Sequence, residues 1–88
     1  MNVLQRIEFK KAYKRLHDNQ RSVVNEAIEK VVANPEIGEQ KKGNLAQVRV
    51  YKFPVLDQIY LLAYVLGDDT LSFWSFGPHE NFYRDLKK

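Results

Sequence analysis

The chain has 88 residues and a mass of 10.4 kDa, the size of one domain; a second core cut from it would be too small to bury itself. Hydrophobic residues make up 44% and charged residues 28%, which excludes a disordered composition and a membrane-embedded one. The absence of cysteine excludes a disulfide framework, a thiolate metal site and a cysteine nucleophile, while the net charge of +3 admits a polyanionic partner without requiring one.

Val3 to Glu8 is a candidate edge strand. From Phe9, the apolar residues Phe9, Ala12, Tyr13 and Leu16 recur at steps of three and four, the stripe of a short helix whose outer face carries Lys10, Lys11, Lys14 and Arg15. His17-Asp18-Asn19 interrupts it, and Asp18 or Asn19 can cap a second helix with an apolar face of Val24, Ala27, Ile28, Val31 and Val32. Asn34-Pro35 ends that helix, because a residue before proline disfavours helical backbone. The two helices should form an antiparallel hairpin.

After a loop from Pro35 to Asn44 the period falls to two, with Val48 and Val50 alternating with Arg49 and Tyr51 in a strand with one polar face. Pro54 marks a turn or an edge bulge. Gln58 to Leu66 is apolar on both faces and reads as a central strand covered on both sides. Gly67-Asp68-Asp69 is a hairpin turn, Thr70 to Phe76 the next strand, and Pro78 to Lys88 a final helical turn or two opened by its proline. The expected fold is α+β, one domain over residues 1–88: an N-terminal strand and a helical hairpin packed on a mainly antiparallel four-stranded sheet, with a short C-terminal helix. Its expected core is Phe9, Tyr13, Leu16, Val24, Ile28, Val31, Leu62, Tyr64 and either Phe73 or Trp74.

No apolar run approaches the ~18 residues that cross a bilayer, and Met1 to Lys10 lacks the apolar core of a signal peptide. A cytoplasmic protein with no membrane partner is the expectation. There is no phosphate-cradling Gly-rich loop and no histidine pair at ligand spacing, so neither a metal nor another cofactor is expected.

Two constellations can carry chemistry. If Pro78 opens a helix, His79 and Tyr83 stand one turn apart with Arg84 beside them: an imidazole and a phenol able to move protons and a guanidinium able to clamp a phosphate. Taken alone, His79 is also an ordinary capping residue, and Tyr83 with Phe82 an apolar latch. The second set is Lys41, Lys42, Arg49 and Lys52 with Tyr51 interleaved, cations for phosphates and a ring for a base, or else a solvated face beside a loop.

The order of these elements, the stretch Asn34-Pro35-Glu36-Ile37-Gly38 through Lys42-Gly43-Asn44-Leu45, the basic strand at Arg49 and the closing Gly77-Pro78-His79-Glu80-Asn81-Phe82-Tyr83-Arg84 together resemble the RelE/ParE superfamily of bacterial toxin-antitoxin toxins. The resemblance spans nearly the whole chain. It implies a toxin held inactive by a cognate antitoxin, a small acidic protein. RelE-like members cut mRNA on the ribosome by attack of a ribose 2′-OH on the adjacent phosphate, whereas ParE-like members inhibit DNA gyrase without nuclease chemistry; a non-toxic binding module on the same scaffold is a third reading. On the nuclease reading Arg49, His79 and Tyr83 are the catalytic residues, and Lys41, Lys42, Lys52 and Arg84 bind substrate. The sequence departs from the nuclease pattern at Leu61, where many RelE-like enzymes carry a central-strand arginine. Arg49, Lys52 or Arg84 would have to supply that charge, whose loss is of the order of ~3 to 4 kcal/mol for a transition-state donor.

Overall fold

A computed structural model of the chain describes residues 2–41, 43 and 47–78. Its elements are β1 (Asn2–Gln5), α1 (Ile7–Lys14), α2 (Asp18–Ala33), a 3-10 turn (Pro35–Ile37), β2 (Glu39–Gln40), β3 (Arg49–Val55), β4 (Gln58–Leu66) and β5 (Thr70–Pro78). The strands form one sheet in the order β1-β5-β4-β3-β2, with β1 parallel to β5 and every other pair antiparallel. α1 packs on β5 and α2 on β3.

The class is α+β, as the sequence predicts, but the sheet has five strands rather than four. The extra strand is β2, whose two residues pair with Val50 and Arg49 and are too few to carry a period. The opening strand stops at Gln5 rather than Glu8, and α1 starts at Ile7, where Glu8 in the first turn suits the positive end of the helix. The N-cap of α2 is His17, not Asp18 or Asn19: the Gln20 side chain accepts the His17 N–H at 2.9 Å, and Asp18 is the first helical residue. α2 ends at Ala33 just before Asn34-Pro35. Pro78, expected to open a helix, is instead the last residue of β5. The remainder of the expected C-terminal helix, residues 79–88, lies outside the described residues.

Pro54 lies within β3 opposite Ile59, beyond the stretch that β2 covers, so its missing N–H falls on a strand with no outer neighbour. The β3–β4 turn is Leu56-Asp57, with Leu56 at φ 56°, the left-handed conformation that tight hairpins demand.

Alternation sorts the strands into two apolar layers. Towards the helices lie Phe9, Val24, Ala27, Val31, Phe53, Val55, Leu62, Tyr64, Leu71, Phe73 and Phe76. Tyr13, Leu16 and Ile28, expected in the core, border it half-buried. The Phe9 ring stacks on Phe73 at 5.4 Å and meets Phe76 edge-on at 5.2 Å, arrangements that add to area burial.

Phe73 and Phe76 reach the same face, although they stand an odd three positions apart, because the register slips: Ala63 pairs with Ser75 and Tyr64 with Phe73, leaving Trp74 as a bulge. The choice between Phe73 and Trp74 is thereby settled. Phe73 is buried under the helices, whereas Trp74 borders the opposite layer, formed by Val48, Val50, Leu61 and Ala63. β4 is buried on both faces, as its continuous apolar run predicts.

Tyr64, fully buried in the central strand, carries a hydroxyl into the helix-side core. It donates to the Pro35 carbonyl at 2.6 Å and accepts the Gly38 N–H at 2.9 Å, clasping the turn that follows α2. Gly38 fits for a steric reason, since a Cβ there would stand 2.5 Å from the phenol oxygen. Gly38→Ala should cost ~1 to 3 kcal/mol through overpacking, and Tyr64→Phe about 1 to 3 kcal/mol because two backbone groups lose their partner. In urea denaturation the double variant should cost less than the sum; strict additivity would show that the two sites do not share this contact.

Candidate functional site

β3 carries two of the cations singled out from the sequence, and it sends them to opposite faces. Arg49 pairs with Tyr64 on the helix side and Lys52 with Leu61 on the far side, as a spacing of three in a strand requires. Arg49 and Lys52, grouped in one basic set by the sequence, therefore do not share a face.

Arg49 is committed to the fold. Its Nη1 donates to the Gly38 carbonyl at 3.0 Å and, more weakly, to the Glu36 carbonyl at 3.5 Å. With the Tyr64 oxygen on the Gly38 N–H, this holds Gly38 from both sides. Tyr51, expected to interleave with the cations on an exposed face, points to the helix side and stacks on Phe53 at 6.0 Å. It offers no free ring to a base beside Lys52. The Lys41 ammonium lies 3.2 Å from the Glu39 carboxylate, and the Lys41 backbone N–H donates to Val48. Lys42, His79, Tyr83 and Arg84 lie outside the described residues.

Lys52 is exposed, and it lines an open groove of about 620 Å³ with Phe53, Pro54, Asp57, Gln58, Ile59 and Pro78. The groove is built by the β3–β4 hairpin, whose far-face residues Lys52, Pro54 and Ile59 project into it, and by the end of β5. Asp57 and Gln58 escaped the sequence reading; their only signal is two polar residues between two strands. Leu61, cross-strand neighbour of Lys52, is fully buried in the far-side apolar layer. Among the described residues no three His, Cys, Asp or Glu side chains gather as metal ligands, and no helix is long and apolar enough to cross a membrane.

The geometry of sheet, helices and basic strand agrees with sequence comparison over nearly the full length. A family model described as the ParE-like toxin of type II bacterial toxin-antitoxin systems matches residues 3–87. The chain belongs to this family. Comparison of the toxin with curated proteins finds no match. Among solved structures, it resembles a YoeB/ParE toxin from Agrobacterium tumefaciens at 16% identity and a TM-score of 0.71, covering 90% of this chain and 99% of that one. The intact E. coli RelBE toxin-antitoxin complex aligns at 20% identity and a TM-score of 0.69, covering 90% and 96%. The isolated E. coli RelE toxin aligns at 19% identity and a TM-score of 0.67, covering 98% and 95%. At these identities the likeness is one of fold.

Burial pushes the toxin's Tyr64 phenol above the usual tyrosine pKa, while the Gly38 N–H and the Arg49 charge pull it down less strongly. The folded state thus holds this proton more tightly than the unfolded chain. The resulting stability is complete below about pH 10, the ordinary tyrosine value, and is lost as pH rises through the folded value. In urea melts, wild type should lose stability above about pH 10 more steeply than Tyr64→Phe; parallel profiles would remove Tyr64 as the cause.

Proposed function

We propose that this toxin is a metal-independent endoribonuclease that cuts mRNA on the ribosome, blocks translation and is neutralised in the cytoplasm by a small acidic antitoxin. The observation that carries the reading is the cross-strand pairing of Lys52 with Leu61. Directly opposed residues on one face of an antiparallel pair lie ~4.5 to 5.5 Å apart at Cβ. An exposed ammonium therefore stands beside the position where the nuclease pattern has its arginine. The same groove is bounded by Pro78, the residue before His79 in the sequence.

Cleavage requires a base to take the 2′-OH proton as that oxygen attacks phosphorus. It also requires a cation to stabilise the phosphorane and an acid to protonate the departing 5′-oxygen, leaving a 2′,3′-cyclic phosphate and a 5′-hydroxyl. In this proposal Lys52 supplies the cation, His79 serves as acid or base, and Tyr83 stacks on a base or relays a proton. Lys41, Lys42 and Arg84 hold the RNA backbone; for Lys41 this means exchanging an exposed ion pair with Glu39, a contact of small energy. Arg49 acts as a positioning residue, fixing Gly38 at the head of the segment that carries Lys41 and Lys42. The antitoxin partner is supported by family membership and by the toxin-antitoxin complex among the solved relatives.

One observation favours a second reading, a gyrase inhibitor without nuclease chemistry: Leu61 is buried among Val48, Val50 and Ala63, which leaves Lys52 the sole cation that β3 and β4 present on their far face. Controlled expression separates the two. The nuclease reading expects growth arrest with cleaved ribosome-bound mRNA in a translating extract. His79→Ala should slow cleavage by ~10² to 10⁴ and Lys52→Ala by ~10² to 10³, with the melting temperature of Lys52→Ala unchanged. Intact mRNA together with inhibited supercoiling would replace this reading with the gyrase one.

A further inference from the structure

At the end of the β3–β4 hairpin the far face of the sheet carries a cation, an apolar pair and a carboxylate in succession. Pro54 and Ile59 stand opposite each other in register, Lys52 lies two residues inboard of Pro54, and Asp57 lies two residues outboard of Ile59, in the turn. A strand advances ~3.3 Å per residue, so the two charges flank the apolar pair at matching distances. All four residues are exposed. Among the described residues no ion pair engages Lys52 or Asp57. Beside them, Leu56 is 67% exposed and Ile59 48%, and Leu56 holds its backbone at φ 56°. Glycine or asparagine adopts that conformation at lower cost, so the tip keeps a large apolar side chain that neither the turn nor the core calls for. Exposed aliphatic groups gathered in this way mark a contact surface.

We infer that this hairpin end docks on a second copy of the same chain, forming a two-fold dimer in which Lys52 of each copy faces Asp57 of the other. The pattern is self-complementary. With the far faces opposed and the axis running across the hairpin at the level of Pro54 and Ile59, the rotation exchanges inboard and outboard ends. Ile59 then meets Ile59 and each cation meets a carboxylate, as an isologous contact requires. The bodies of the two molecules extend in opposite directions from the overlap. A nucleic-acid strand fits the outer half of the groove poorly, because Asp57 repels phosphate and the lining is otherwise aliphatic, Phe53 being buried in the helix-side core. The contact is small, so the association is weak and reversible. The inference goes beyond the nuclease reading and rests on it in one consequence only: the dimer covers Lys52, so the single chain is the form able to hold RNA.

Sedimentation of the full chain over a concentration series tests the dimer. Wild type should pass from monomer to dimer with a Kd of about 10 to 100 μM, and added salt should favour the monomer. Lys52→Glu sets like charge against Asp57, and Asp57→Lys sets like charge against Lys52, so each alone should weaken association about tenfold or more. Mixing the two variants should restore it, because both contacts of the mixed dimer then pair opposite charges, a rescue that non-specific association would not show. Ile59→Thr, which keeps a β-branched residue in the strand, should weaken the dimer several-fold and leave the melting temperature in place. Wild type that stays monomeric up to ~1 mM, single charge variants that dimerise as wild type does, or a mixture that stays monomeric would overturn the inference. Cleavage assays keep the two readings apart. With mRNA as substrate, activity per molecule should fall as wild type dimerises and stay level for Asp57→Lys; activity that does not fall refutes the covering of Lys52. If mRNA stays uncut at every concentration, the nuclease reading fails and sedimentation still judges the dimer.

Discussion

A single phenol oxygen in the middle of the sheet fixes how the helical layer meets the strands. Tyr64 belongs to β4, the central strand, yet its hydroxyl binds the backbone on both sides of the turn after α2, and Arg49 of the neighbouring strand holds the other side of Gly38. A buried backbone carbonyl and N–H without partners would each carry a desolvation cost; here they share one side chain. The clasp sets where α2 stops relative to β3. Because Gly38 directly precedes β2, it also sets the register of that two-residue strand. Arg49 therefore has its surroundings defined by packing, and its charge serves the scaffold before any ligand arrives.

The bulge at Trp74 plays the matching part on the other side of β4. It allows Phe73 and Phe76 both to flank Phe9, which ties α1 to β5 through aromatic contact, while the indole of Trp74 lies on the far face, where Arg6 covers it. The sheet consequently has two apolar layers of unequal size. The smaller layer ends at the exposed Lys52, at the hairpin end of β3 and β4.

Much of this was legible from periodicity. The stripes of α1 and α2, the Asn34-Pro35 stop, the Gly67 turn and the doubly buried β4 follow from apolar spacing and turn chemistry that local sequence states openly. β2 was not legible, because two residues have no period and their pairing is set by the distant Tyr64 clasp. The bulge breaks the alternation that, counted on from Leu71 and Phe73, would have sent Phe76 to the far face. For the site, Arg49 and Lys52 look like one basic cluster when composition is read, yet their odd spacing already places them on opposite faces; Tyr51 is separated from Lys52 by the same rule. Leu61 was recognisable as a missing charge, but only cross-strand register reveals that Lys52 is its neighbour. The His79 to Arg84 motif was read from residue types alone, and the described strand ends at Pro78, one residue short of it.

The parallel pairing of β1 with β5 has a consequence for how the molecule is made. Asn2 meets Thr70, so β1 joins the strand furthest from it in sequence among the described ones, and it cannot be placed until β5 has been made. Contacts between such distant segments carry a loop-closure cost that local hairpins avoid. The β3–β4–β5 meander can form early from neighbouring turns, whereas α1 and β1 must wait for β5 to offer its edge. A nascent chain at that stage has neither the Phe9 contacts nor a completed margin, and its apolar start is open to whatever meets it first.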